Sequence, residues 1–308
     1  MNRLAPRLPA LLALLFAGLL APQIRAQPAA ATELKSAHLE MALVNLKSLY
    51  SDSPDAEQNR THIDANLKRH AYFIDKLATE GVEFIGFPEL SVNGYHFSKN
   101  TTWLKLDGPE VAALKKMARE KGVYISVGLA LEDSQGNRWN MQIVIDPMGR
   151  IIGVHRKILM AAEKGYVKLG SFHNVFDVKG LKMGILICAD GFDYRNLKKL
   201  ADNGARLIHY PNASDAGGSP KGFYDSRAKW PGWVADLKLY AAAHNVAALY
   251  NPDFDPPPGK DIHQGWSGGA WFIGPDGRTL AQQPPSKDRA DCKECVLRYA
   301  VPIPSLRK

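Results

Sequence analysis

Gly81-Val82-Glu83-Phe84-Ile85-Gly86-Phe87-Pro88-Glu89 is an apolar run that ends at a proline and a carboxylate, and Gly204-Ala205-Arg206-Leu207-Ile208-His209-Tyr210-Pro211-Asn212 repeats its layout in the second half of the chain. A short run of this kind, bounded by Gly and Pro, reads as a buried strand. Working outward, Leu39–Val44 resembles Leu181–Leu186, and Val144–Arg150 resembles Phe272–Arg278. The blocks come in the same order in both halves. The pattern predicts two similar α/β halves packed as one domain, each strand set covered by helices on its outer face; short apolar strands also resemble one another by chance.

The remaining segments fit that rhythm. Strands are expected at Met41–Leu46, Val82–Phe87, Val123–Leu131, Leu181–Ile187, Arg206–Tyr210 and Val246–Tyr250. Ile63, Leu67, His70, Ile74 and Leu77 recur at helical spacing, and Leu106–Lys121 and Tyr194–Asn203 also read as helices. Trp233, Leu237, Tyr240, Ala241 and His244 are expected to share one helix face. Asp146-Pro147-Met148-Gly149 and Gly274-Pro275-Asp276-Gly277 are hairpin turns, joining Met141–Asp146 to Arg150–Val154 and Ala270–Ile273 to Thr279–Gln282. Ala213–Gly222 and Asp253–Gly259 are too rich in Gly and Pro for either element.

The chain opens with a basic segment, Met1–Arg7, followed by the uncharged 14-residue run Leu8–Ala21 and then small residues. A basic start, a short apolar run and a small-residue exit are the export signature, and the run is short of the ~20 residues that span a bilayer. Residues 1–31 are therefore expected to be a signal peptide cut between Ala26 and Ala31, with one domain over 32–308 and a periplasmic or secreted destination. Its removal takes three arginines and no acid, so the net charge of +8 falls to +5. The lysines are scattered rather than striped, which argues against nucleic acid as a partner, and no later run is long enough to hold the mature chain in a membrane.

Of three cysteines, Cys292 and Cys295 form a C-x-x-C pair. Outside the cytosol such a pair either oxidises to a disulfide or stays as two thiols. No metal is expected: one C-x-x-C is too few ligands, and the nine histidines show no H-x-x-x-H spacing.

Three features fall at the ends of expected strands, where open α/β folds place their sites. Glu89 directly follows a buried run, and lost hydration makes a carboxylate a stronger base; a solvated loop acid is the alternative. His155-Arg156-Lys157 follows the first hairpin and, alone, reads as a basic turn. Cys188 ends Ile185-Leu186-Ile187 and precedes Ala189-Asp190. A thiol there is either activated by helix N-terminal amides and a cation, or is a core cysteine.

Taken together, Phe87-Pro88-Glu89-Leu90 with Gly94-Tyr95, then Arg156-Lys157, then Gly184–Asp190, resemble in order the motifs of the nitrilase, or carbon–nitrogen hydrolase, superfamily. The resemblance covers nearly all of residues 32–308. It implies a four-layer α-β-β-α sandwich with an internal pseudo-two-fold repeat and a Glu–Lys–Cys triad of Glu89, Lys157 and Cys188. It further implies a supporting glutamate at Glu163, an oxyanion donor at the Ala189 N–H, a small-molecule amide as partner and substrate, no cofactor, and a homodimer or larger homo-oligomer. Tyr95 and Asn212 follow strand ends on the same rim and are candidate pocket residues. The chain departs from the family after the thiol: Ala189-Asp190-Gly191-Phe192 replaces the usual aromatic and Arg-Phe-Pro-Glu stretch, and Cys-Trp-Glu of nitrile-cleaving members is absent. Amide or carbamoyl-amide hydrolysis is the leading expectation. Acyl transfer from the same thioester, nitrile cleavage and a non-catalytic binding protein are the alternatives.

Overall fold

The computed structural model describes residues 37–50, 53–159, 164–213, 223–245, 248–250, 263–264, 268–284 and 293–303. The expected signal peptide lies outside them, as do the loops 214–222 and 253–259.

The first half runs β1 (His38–Asn45), β2 (Lys47–Leu49), α1 (Ala56–Thr79), β3 (Phe84–Gly86), α2 (Pro109–Lys121), β4 (Tyr124–Glu132), β5 (Arg138–Ile145) and β6 (Ile151–Arg156). The second runs β7 (Val175–Val178), β8 (Leu181–Ile185), a 3-10 turn (Cys188–Phe192), α3 (Tyr194–Asp202), β9 (Leu207–Asn212), α4 (Phe223–Leu237), β10 (Tyr240–Asn245), β11 (Ala248–Tyr250), β12 (His263–Gln264), β13 (Ala270–Ile273), β14 (Thr279–Gln283) and β15 (Cys295–Pro302).

One six-stranded sheet has the order β15-β1-β3-β4-β5-β6 and the other β14-β13-β10-β9-β8-β7; β12-β11-β2 form a small third sheet. In the first, β1, β3 and β4 are parallel and β5 and β6 fold back antiparallel. In the second, β8, β9 and β10 are parallel and β13 and β14 fold back in the same way. The repeated segments therefore occupy equivalent strands, β3 against β9 and β1 against β8, so the similarity between the halves is one of topology. Both expected hairpin turns close, with Gly149 and Gly277 at φ 75° and 79°, a backbone region that favours glycine.

Side-chain alternation sorts the layers. Leu39, Met41 and Leu43 of β1 face the second sheet, packing with Met183, Ile185 and Phe272. Ala42 and Val44 face the other way, onto Ile63, Ile74 and Leu77 of α1 and Val111 and Leu114 of α2. On the far side Ile208 and Tyr210 of β9 meet Leu197 of α3 and Trp230 and Val234 of α4. Helix, sheet, sheet and helix thus enclose three apolar interfaces, the four-layer sandwich expected. The helices start as their sequences direct: Asp55 caps α1 by accepting from Glu57 N, and Pro109 opens α2.

One expected element is different. The helix that was to carry Trp233 through His244 ends at Leu237, and Tyr240–Asn245 is the central strand β10. Lys238 turns the chain at φ 54°. Three consecutive alanines have high helix propensity, but β9 pairs along the whole segment and β13 along Ala241–His244, and these ladders override it.

The inter-sheet layer also holds a directed polar chain. His244 Nδ1 lies 3.1 Å from Val44 O, which only accepts, so Nδ1 carries the hydrogen and Nε2 of the neutral ring accepts. His209 Nε2, 3.0 Å away, then donates to it, and His209 Nδ1 accepts from Ser126 Oγ at 3.1 Å. Ser126 Oγ accepts in turn from Gln142 Nε2 at 3.0 Å. Gly86 makes room for this chain: a Cβ there would sit 2.8 Å from His209 Nε2.

Candidate active site

Beyond β3 the chain continues through Phe87, whose N–H donates to Ser126 O, to Pro88 and Glu89. This segment lies directly on β4, because position 128 is a glycine. A Cβ on Gly128 would stand 2.2 Å from Leu90 N and 2.7 Å from Pro88 O, both backbone atoms that cannot swing aside. Gly128→Ala is expected to push the glutamate segment off its seat and to lower unfolding free energy by about 1–3 kcal/mol, the usual cost of overpacking. Urea denaturation checks it; an unchanged midpoint would mean that the segment yields at no cost.

Glu89 is 1% exposed, and hydrogen bonds fix both its oxygens. Lys157 Nζ donates to Oε1 at 2.8 Å and Asn140 Nδ2 to the same atom at 2.7 Å, while the backbone N–H of Ala213 donates to Oε2 at 2.8 Å. Asn140 belongs to the first sheet; Ala213 follows the end of β9 in the second. Lys157, also 1% exposed, extends the inward face of β6 that carries Gly153 and His155. Its Nζ stands 5.7 Å from the centroid of the Tyr95 ring. A buried ion pair persists only where further hydrogen bonds offset desolvation, and Asn140 and Ala213 supply them here.

Cys188 is buried at the head of the 3-10 turn, with φ 47°. A non-glycine residue in this region costs roughly 1–2 kcal/mol, so its neighbours must hold it there. Tyr210 Oη donates to Cys188 O at 2.8 Å, and Trp230 Nε1 to Gly191 O at 3.0 Å. The principal brace is Asp190. Its Oδ2 accepts from Ile187 N at 3.1 Å and from His155 Nε2 at 2.8 Å, and its Oδ1 from Ile158 N at 2.9 Å and Leu159 N at 2.6 Å. The turn that presents the thiol is therefore fastened to the two residues that follow Lys157. Ala189 occupies the first turn of this helix, where backbone N–H groups have no partner within the helix.

The structure brings Glu89, Lys157 and Tyr95 into one cluster and ties the Cys188–Ala189 turn to it. Asn212 is buried beside the cluster, but its amide clamps backbone, donating to Tyr210 O at 2.8 Å and His244 O at 3.2 Å. Glu163 lies outside the described residues, as does Cys292. Cys295 Sγ accepts from Asn45 Nδ2 at 3.1 Å. Sequence reasoning missed Asn140, Tyr210 and the Ala213 N–H, and it noted His155 and Asp190 without their roles.

Residues 42–290 match the family model described as carbon-nitrogen hydrolase. The chain is 32% identical over 155 residues to a nitrilase of Pyrococcus abyssi, covering 48% of this chain and 58% of that protein. It is 30% identical over 181 residues to N-carbamoylputrescine amidase of Arabidopsis thaliana, covering 54% of this chain and 60% of the amidase. These alignments thus span little more than half of either relative. In fold it is similar to an amidase from Nesterenkonia sp., with a TM-score of 0.67 at 17% identity over 88% of this chain and 92% of that one.

Proposed function

Because this chain belongs to the carbon–nitrogen hydrolase family, we propose that it hydrolyses a small non-peptide amide or carbamoyl amide through a thioester on Cys188. The observation that carries this reading is the buried Glu89–Lys157 pair, fixed at 2.8 Å and fastened through Asp190 to the turn that presents the thiol.

Glu89 takes the Cys188 proton as Sγ attacks the amide carbon. The carbonyl oxygen gathers negative charge between the Lys157 ammonium and the Ala189 N–H, and one such donor contributes about 3–4 kcal/mol in the transition state. Glu89 returns the proton to the departing amine, leaving the thioester. It then deprotonates a water that attacks the thioester carbon; the thiolate leaves, is reprotonated, and the carboxylic acid departs. The Lys157 ammonium orients the carboxylate through the 2.8 Å hydrogen bond, and the Tyr95 ring, 5.7 Å from Nζ, gives the same cluster an aromatic side. Export, with cleavage between Ala26 and Ala31, is part of the same reading, as is a homo-oligomer.

The test is intact-protein mass spectrometry of the secreted chain with a panel of small amides, carbamoyl compounds and nitriles, followed by peptide mapping. An acyl adduct on Cys188 is expected, with turnover reduced by about a thousandfold or more in Cys188→Ser and Glu89→Gln. Acyl conjugates formed with added amines would move the assignment to a transferase. A Cys188→Ser protein with full turnover would exclude the thioester route. The same spectra give the mature N-terminus.

A further inference from the structure

On the outward face of the first sheet, where β5 and β6 run beyond α2, lies a cavity of about 290 Å³. Trp139, Met141 and Val154 form its floor, and Leu106, Leu169 and Phe172 its rim. Alternation separates it from the Glu89 cluster: Trp139 and Met141 point outward from β5 while Asn140 points inward, and Arg156 points outward where Lys157 points inward.

Two features mark it as more than a surface dent. The rim is apolar and open to solvent, with Phe172 69% exposed and Leu106 and Leu169 each 43%. Clustered apolar exposure of this kind marks a binding surface. The second feature is Arg156. Its guanidinium stacks on Trp139, with Cζ 4.6 Å from the ring centroid. Its Nε is buried without a hydrogen-bond partner, and among the described residues no carboxylate pairs with it. Arg138, by contrast, pairs with Glu132. The nearby Asp133 is engaged elsewhere, accepting from Trp139 Nε1 at 3.0 Å and from Asn137 N at 2.9 Å. That bond also fixes the indole, so the aromatic floor is rigid. Arg156 lines the cavity, and a guanidinium without a carboxylate partner beside a rigid aromatic face suits a carboxylate attached to a flat apolar body. The volume is at the low end of ligand pockets, which run about 300–1,000 Å³, and admits a body of one ring.

We propose that this cavity is a ligand site, distinct from the Glu89–Lys157–Cys188 cluster, for a small monocarboxylate bearing one apolar ring. The carboxylate takes the Arg156 donors, the ring lies between Trp139 and Phe172, and Ser171 and Asn174 supply the polar edge.

Phenylacetate is the probe, titrated calorimetrically into the full chain. One site per chain is expected, with acetate and 2-phenylethanol each binding about tenfold more weakly, since each lacks one half of the recognition. Arg156→Gln and Phe172→Ser should each weaken phenylacetate about tenfold. Phe172 is largely exposed, so its substitution leaves folding intact. Glu89→Gln, altered only in the buried cluster, should bind phenylacetate as the unmodified chain does. Absence of binding, equal affinity for 2-phenylethanol, or an affinity that follows Glu89→Gln and ignores Phe172→Ser would each overturn the proposal; the last would place the ligand in the other cluster.

Discussion

Lys157→Met is expected to destabilise the protein by about 3–5 kcal/mol and, on the proposed mechanism, to abolish amide turnover in the same step. Breaking a buried ion pair from one side leaves a desolvated charge without its counter-charge, and that penalty, rather than the lost attraction, sets the size. The Glu89 carboxylate is buried, and the Asn140 amide and the Ala213 N–H, which also donate to it, are neutral. Methionine fills the space of the lysine stem but offers no donor. The discriminating measurement is a double-mutant cycle in urea. Glu89→Gln with Lys157→Met removes both charges, so the pair should be more stable than Lys157→Met alone. If the double variant is the less stable, the carboxylate in Lys157→Met is not the source of the loss. Lys157→Arg should fail to restore turnover, because a planar fork cannot replace a compact ammonium in this space.

Acid is expected to unfold the protein at a pH where its carboxylates are still ionised. Burial drives His70 down to about 4, partly offset by its bond to the Asn66 carbonyl. His209 is also held well below its ordinary value, by burial and then by His244, and His244 is lowered by burial. All three are neutral in the folded chain, whereas the unfolded chain protonates histidine near pH 6.5. Below that pH the unfolded state binds more protons, so stability is fully present above about 6.5 and is lost as pH falls towards the folded values. His70 alone contributes about 1.4 kcal/mol per pH unit through this window, about 3 kcal/mol by pH 4. His209 and His244 act in the same direction. Carboxylates held low by a neighbouring arginine, such as Asp193 beside Arg195, release their share only below about pH 4. Urea midpoints at about pH 7.5 and about pH 5 should therefore differ markedly; equal midpoints would mean that the buried rings are already charged in the folded state.

The elements that the sequence made legible share one property: a local signal that the fold does not override. Glu89 and Cys188 each follow an apolar run and Lys157 follows a hairpin, and β3 and β9 share a layout that predicts equivalent places in two sheets. Asn140 and Gln142 show where such reading stops. They alternate with Trp139, Met141 and Ile143, a pattern that ordinarily marks a solvated strand face. Here the polar face is the one between the sheets, and its groups are used to hold Glu89 and the Phe87 carbonyl. The Ala213 contribution is a backbone N–H, which no residue type announces. Tyr240–Asn245 was misread because its alanines suit a helix, and only the flanking strands decide otherwise.

Glu89 takes hydrogen bonds from Asn140 of one sheet and from the chain leaving the other at Ala213, so its position is a vernier on the alignment of the two sheets. A slip of a few tenths of an ångström between the layers costs the apolar interface little, since those contacts are broad and non-directional. The same slip alters two directional bonds at the carboxylate at once. Volume changes among Leu43, Met183 and Phe272 in that interface should therefore register in the hydrogen bonds of Glu89 as well as in melting. The interface thus sets alignment as well as cohesion.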